Sequence, residues 1–160
     1  MGLLKGTLTF SRYRLPGEMP AGSSEQIDRS MRKFAFRDLA KSSEEKNLGW
    51  TSLENPLDTD FRHSSCRWGD YLLFCLRIDR WTIPPALLKV RILAAEQRHL
   101  AETGQRKIDR HRRGDIRERV RLDLLSRTEP VPAFHEICWS VSARSILFTS
   151  LSEKVIDDFQ

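Results

Sequence analysis

The chain has 160 residues, 39% of them hydrophobic and 31% charged, with a net charge of +5. That length supports one sizeable hydrophobic core, and four Trp and eight Phe argue against intrinsic disorder. No apolar run approaches a membrane span, and the first ten residues are too broken by Lys5, Thr7 and Thr9 for a signal peptide, so a cytoplasmic chain with no membrane contact is expected.

Residues 4 to 10 alternate, with Leu4, Gly6, Leu8 and Phe10 opposing Lys5, Thr7 and Thr9, which predicts a strand with one buried face. The stretch LPGEMPAGSS breaks that structure. Ser23 or Ser24 then caps a predicted helix running to about Leu39, with Ile27, Met31, Phe34 and Ala35 on one stripe. LGWTSLENPLDTD reads as a short strand followed by a loop, since Pro56 forbids a central strand position. DYLLFCLRID is apolar on both faces through Leu76 and is expected inside the sheet.

Pro84 and Pro85 stand where a helix begins and Gly104 where it ends. Leu87, Val90, Ala94 and Ala101 form one stripe on that helix, and Leu88, Ile92, Ala95 and His99 form a second. Another helix follows and ends near Arg127, capped either by Asp109 or by an Asp115-x-x-Glu118 box after Gly114. PAFHEICWS and RSILFTS predict two strands joined tightly through Val141 to Ala143. Ser150-x-x-Glu153 is a capping box for a last helix with Val155, Ile156 and Phe159 inward. Gln160 falls about two turns into that helix, so the chain is expected to be cut short. The order β-α-β-β-α-α-β-β-α implies an α+β protein, with an antiparallel or mixed sheet packed with helices and a projecting helical hairpin. Residues 1–160 are expected to form a single region, with the hairpin at 84–127 and a return to the sheet and a truncated helix over 128–160.

The charge is unevenly placed. Residues 104–121, GQRKIDRHRRGDIRERVR, hold eight Lys or Arg against three acids, while the other 142 residues carry 19 of each sign. On a helix, Arg110, Arg113, Arg117 and Arg121 fall within about 80° of one another. They flank the apolar stripe of Ile116, Val120 and Leu124. One reading is that they are only a solvated face, their stems covering the packed seam while the heads stay in water. The other is a phosphate surface, favoured by the dominance of Arg and the shortage of nearby acids. No helix-turn-helix, zinc-finger or RNA-recognition motif accompanies the stripe, so any contact is expected to be to backbone and salt-dependent.

Catalytic signals are sparse. Glu54, Asp58 and Asp60 cluster, with Asp70 and Asp79 bracketing the apolar strand, and paired carboxylates of this kind can hold Mg²⁺ for phosphodiester hydrolysis. ENPLDTD has equally the composition of an ordinary turn. His63-x-x-Cys66 is a pair without a second pair, and Cys138 beside Trp139 fits a core position better than a nucleophile. Three widely spaced cysteines fit reduced thiols better than a disulfide framework. There is no Gly-rich phosphate loop and no GxSxG, so neither a cofactor, a metal nor an enzymatic activity is expected.

Several anchors in order resemble the N-terminal half of the RdgC family, the recombination-associated proteins of bacteria. They are LKGTLTFSRYR at the opening, Leu48-Gly49-Trp50 after the first helix, IPPALLK opening the long helix, a basic turn leading to LLSR, and LFTSLSEKVID after the strand of Trp139. The resemblance implies an α+β protein that assembles as a ring-shaped homodimer on duplex DNA. It implies sequence-independent DNA binding, restraint of RecA activity, a nucleoid location, and a tip at the hairpin. The family has also carried an exonuclease label. Full-length members extend well beyond this length, so a C-terminal half is expected to be missing. Where many members place an aromatic after the second helix, this chain has Thr128, Glu129 and Pro130, with Phe134 later, so no single residue inherits a dimer-contact role.

The expected function is therefore a duplex-DNA binder, with phosphate contacts from Arg106, Lys107, Arg110, Arg113, Arg117 and Arg121, and secondarily from Arg12 and Arg14 at the end of the first strand. The alternatives are a metal-dependent exonuclease using Glu54, Asp58 and Asp60, and an interaction module whose hairpin docks an acidic protein.

Overall fold

The computed structural model describes residues 2–3, 6–17, 23–38, 46–61 and 66–160. Leu4 and Lys5 of the predicted first strand, Leu39 at the predicted helix end, and His63 lie outside the described residues. Two compact units emerge. The first holds the described residues of 1–40 with Asn47–Asp79 and Pro132–Gln160, and the second holds Lys46 with Arg80–Val131.

The first unit is built on an antiparallel sheet. Strand β1 (Ser11–Arg14) pairs with β6 (Ser145–Phe148), which pairs with β5 (Val131–Ser140), then β4 (Tyr71–Arg80), then β2 (Lys46–Ser52). A two-residue strand, β3 (Arg67–Trp68), pairs with β4 alone. The prediction of an internal strand at DYLLFCLRID is met by β4. One of its faces, Leu72, Phe74, Leu76 and Ile78, is almost wholly excluded from solvent and forms the centre of the core with Ile137 and Phe148. Two helices supply further core residues: α1 (Ser23–Lys33) gives Ile27 and Met31, and α4 (Glu153–Phe159) gives Val155, Ile156 and Phe159. Phe159 stacks on Phe148 with centroids 4.4 Å apart, and Trp50 meets Phe74 edge-on at 5.3 Å.

Four local expectations are corrected. The first strand occupies Ser11–Arg14 and not residues 4–10; Thr7 to Phe10 lie outside any strand, and Phe10 is exposed. Alternation marks a chain able to lie in a sheet, but β6 offers partners only from Ser145 to Phe148, and these take Arg14 to Ser11. Helix α1 stops at Lys33, short of Leu39, because the next residues pair with β2. The Trp50 amide donates to the Phe34 carbonyl (3.0 Å), and the Phe36 amide donates to the Trp50 carbonyl (2.8 Å). This parallel bridge draws Phe34 and Ala35 off the helical stripe. Strand β3 was hidden because two residues carry no periodicity; its hairpin turns on Gly69, whose φ of 57° suits the first position of a tight turn. The last helix is capped at Ser152, not Ser150, and the Ser150 hydroxyl instead accepts from the Ser152 amide (3.2 Å).

The second unit contains the predicted hairpin, α2 (Pro85–Thr103) and α3 (Arg110–Ser126). Among the described residues no helix is long and apolar enough to cross a membrane.

Candidate nucleic-acid interface

The ends of the two hairpin helices follow from local chemistry. Pro85 lies in the first turn of α2, where a missing amide costs nothing. Gly104 closes it with φ 67°, its amide donating to the Leu100 carbonyl (3.0 Å). The start of α3, left open between two caps, is at Asp109, whose carboxylate accepts from the Arg112 amide at 2.9 Å. That hydrogen bond, with weaker help from His111, holds the Asp109 carboxyl below the usual aspartate range.

The hairpin packs through one of the two predicted stripes. Leu88, Ile92, Ala95 and His99 are half-buried on α2, and Ile116 and Leu124 are buried on α3. The other α2 stripe faces water at Leu87 and Val90. On α3 the arginines do flank this seam. Arg113 reaches across it to Glu96 of α2 at 3.2 Å, and Arg121 lies 3.6 Å from Glu118. Glu96 is a neutralising acid that no local pattern in the basic segment announces, because it sits 17 positions away on the other helix. Arg106, Lys107, Arg110, Arg117 and Arg119 are exposed, and no acid pairs with their side chains among the described residues. The hairpin therefore gathers Arg106, Lys107, Arg110, Arg113, Arg117 and Arg121 in one unit. Arg12 and Arg14 belong to the other unit, on the exposed side of β1.

Of the candidate acids, Asp70 and Asp79 commit their carboxylates elsewhere, while Glu54 and Asp58 lie in a backbone turn. Around Asp58 the backbone forms a turn: the Asp58 amide donates to the Asn55 carbonyl (2.9 Å), and the Ser52 amide donates to the Asp58 carbonyl (3.1 Å). The Ser52 hydroxyl accepts from Glu54 and Asn55, and Asn55 Oδ1 accepts from the Leu57 amide. Asp70 grips the β5–β6 turn, accepting from the Ser142 hydroxyl, the Ser142 amide (3.1 Å) and the Ser140 hydroxyl (3.2 Å). These bonds, the Ser142 hydroxyl first, lower its pKa. Asp79 is 2% exposed and forks onto Arg77 at 2.7 and 2.8 Å. The Arg77 guanidinium lies 4.0 Å above the Phe36 ring. Among the described residues no three His, Cys, Asp or Glu side chains come together as a cation site. Burial pushes the Cys75 thiol up to about 12 and raises Cys66 and Cys138, the reverse of what activates a nucleophile.

Fold and surface together define an α+β protein whose charge excess is concentrated on a two-helix hairpin. The sequence model of the family described as "Putative exonuclease, RdgC" matches residues 9–160. The chain belongs to the RdgC family. No curated protein matches it.

Proposed function

We propose that this chain binds duplex DNA through the phosphate backbone, without sequence preference, using the hairpin. The observation that carries this reading is the set of exposed, acid-free cations Arg106, Lys107, Arg110, Arg117 and Arg119 on one short segment. Arginine forks suit phosphate oxygens, and a surplus of unpaired cations costs self-repulsion unless a polyanion relieves it. Arg113 and Arg121 join this surface from within their ion pairs, and Arg12 and Arg14, on the other unit, are secondary candidates for phosphate contact on their own. In this reading the protein acts in DNA recombination as a homodimer in the nucleoid and restrains RecA activity.

The test is fluorescence anisotropy with two unrelated duplexes across a salt series. Four phosphates neutralised would weaken binding by roughly 10²-fold between 50 and 200 mM salt, equally for both sequences. Reversing Arg110 and Arg117 to Glu should cost about tenfold or more and flatten the salt slope by about two. Unchanged affinity in that variant removes the hairpin from the mechanism.

The family description supports a second reading, an exonuclease. Loss of linear DNA in Mg²⁺ or Mn²⁺ that disappears in Asp58→Ala would favour it. No turnover at high protein concentration would retire Glu54, Asp58 and Asp60 as its site.

A further inference from the structure

The arginine at the centre of the basic stripe is tied to the opposite helix. Arg113 lies between Arg110 and Arg117, which sit one turn before and one turn after it on α3. Like charges at that spacing repel one another, and a long side chain among them is spread over many rotamers. Glu96 of α2 changes this. Its Oε1 lies 3.2 Å from Arg113 Nε, and both helices belong to the same unit. The Glu96 side chain is 20% exposed and that of Arg113 54%, so the acid is sunk toward the helix seam while the guanidinium keeps a broad surface open to solvent.

The edge used for this contact decides what remains. A guanidinium presents Nε and one terminal nitrogen along its side, and both terminal nitrogens, Nη1 and Nη2, across its end. Glu96 meets Arg113 from the side, with Nε as the nearest nitrogen. No hydrogen bond engages Nη1 or Nη2 of Arg113 among the described residues. Arg121 is arranged otherwise: it approaches Glu118, a neighbour on its own helix, through Nη1 at 3.6 Å. A lysine at position 113 would offer a single ammonium and no second edge.

We propose that Glu96 is a positioning residue for phosphate binding. It holds Arg113 by the side of the guanidinium, so that the end edge is presented, already oriented, to two oxygens of a backbone phosphate. Orienting a rotamer-rich side chain in advance removes an ordering cost otherwise incurred on binding. The inference rests on the DNA-binding reading of the hairpin and adds to it an acid that assists a polyanion site.

The test compares two variants of equal charge. E96Q keeps an oxygen able to accept from Nε and E96A does not, while both remove the same repulsion between Glu96 and DNA. Duplex binding, followed by anisotropy at about 50 mM salt, should be roughly three- to tenfold tighter for E96Q than for E96A. That gap should close when R113A is added to each variant. If Glu96 only braced the two helices, the gap would persist without Arg113. Equal affinity of E96Q and E96A, tighter binding by E96A, or a gap that survives R113A would each overturn the proposal while leaving the DNA-binding reading intact. A parent chain that binds no duplex would refute that reading itself, and this inference with it.

Discussion

Replacing Gly49 by Ala adds one methyl group at the point where two backbones meet. A Cβ built there lies against Phe36 Cα, 2.5 Å from the Phe36 amide nitrogen and 2.9 Å from the Ala35 carbonyl carbon. All three are main-chain atoms, so no side chain can swing aside. Gly49 does not have a positive φ; the demand is for space. The bridge must open, which loses the Phe36-to-Trp50 and Trp50-to-Phe34 hydrogen bonds, worth about 1 kcal/mol each net. Trp50 also shifts from its edge contacts with Phe74 and Phe159, each worth roughly 0.5–1.5 kcal/mol. With half of that aromatic contribution retained, Gly49→Ala should cost about 3 kcal/mol and lower Tm by about 6–12 °C. Urea titration followed by tryptophan fluorescence measures it. The reasoning also predicts a sign: where Ala fits, Gly→Ala stabilises by about 0.4–1 kcal/mol through the unfolded chain. A variant as stable as the parent, or more stable, would refute the close approach.

Three further outcomes follow from the geometry. Asp79→Asn leaves the Arg77 guanidinium, whose side chain is 15% exposed, without its charged fork; the expected loss is about 3 kcal/mol, read from the urea midpoint. Asp109→Ala removes the α3 cap and should lower Tm by roughly 3 °C at neutral pH. Because the folded carboxyl is held below its usual pKa, this contribution is full above the ordinary aspartate range and fades as pH falls through the lowered value; melts of parent and variant should therefore converge in acid. Cys75, buried and raised to about 12, should alkylate with iodoacetamide at pH 8 more slowly than Cys66 and Cys138, as read by mass spectrometry over time; equal rates would contradict its burial.

The proposed interface was legible to the extent that charge is a property of composition. The excess in residues 104–121 and the arginine stripe of α3 are visible in the one-dimensional chain, and so are the helix ends at Pro84, Pro85 and Gly104. What that reading lacked was the opposing helix. Arg113 counts as one more free cation until α2 brings Glu96 to 3.2 Å. The partners of two acids were hidden for a related reason: Asp70 serves a turn some 70 positions away, and Asp79 forks onto its neighbour Arg77.

By itself, then, the sequence determined the helical hairpin, the interior strand β4 and the place of the surplus charge. Each rests on contacts within a few residues or on a periodicity that names a buried face. Tertiary structure decided where β1 begins, why α1 stops at Lys33, and which cations retain no acid. Periodicity says that a face is buried but not against what. Those answers wait until β6, β2 and α2 bring partners from far along the chain to within hydrogen-bonding distance.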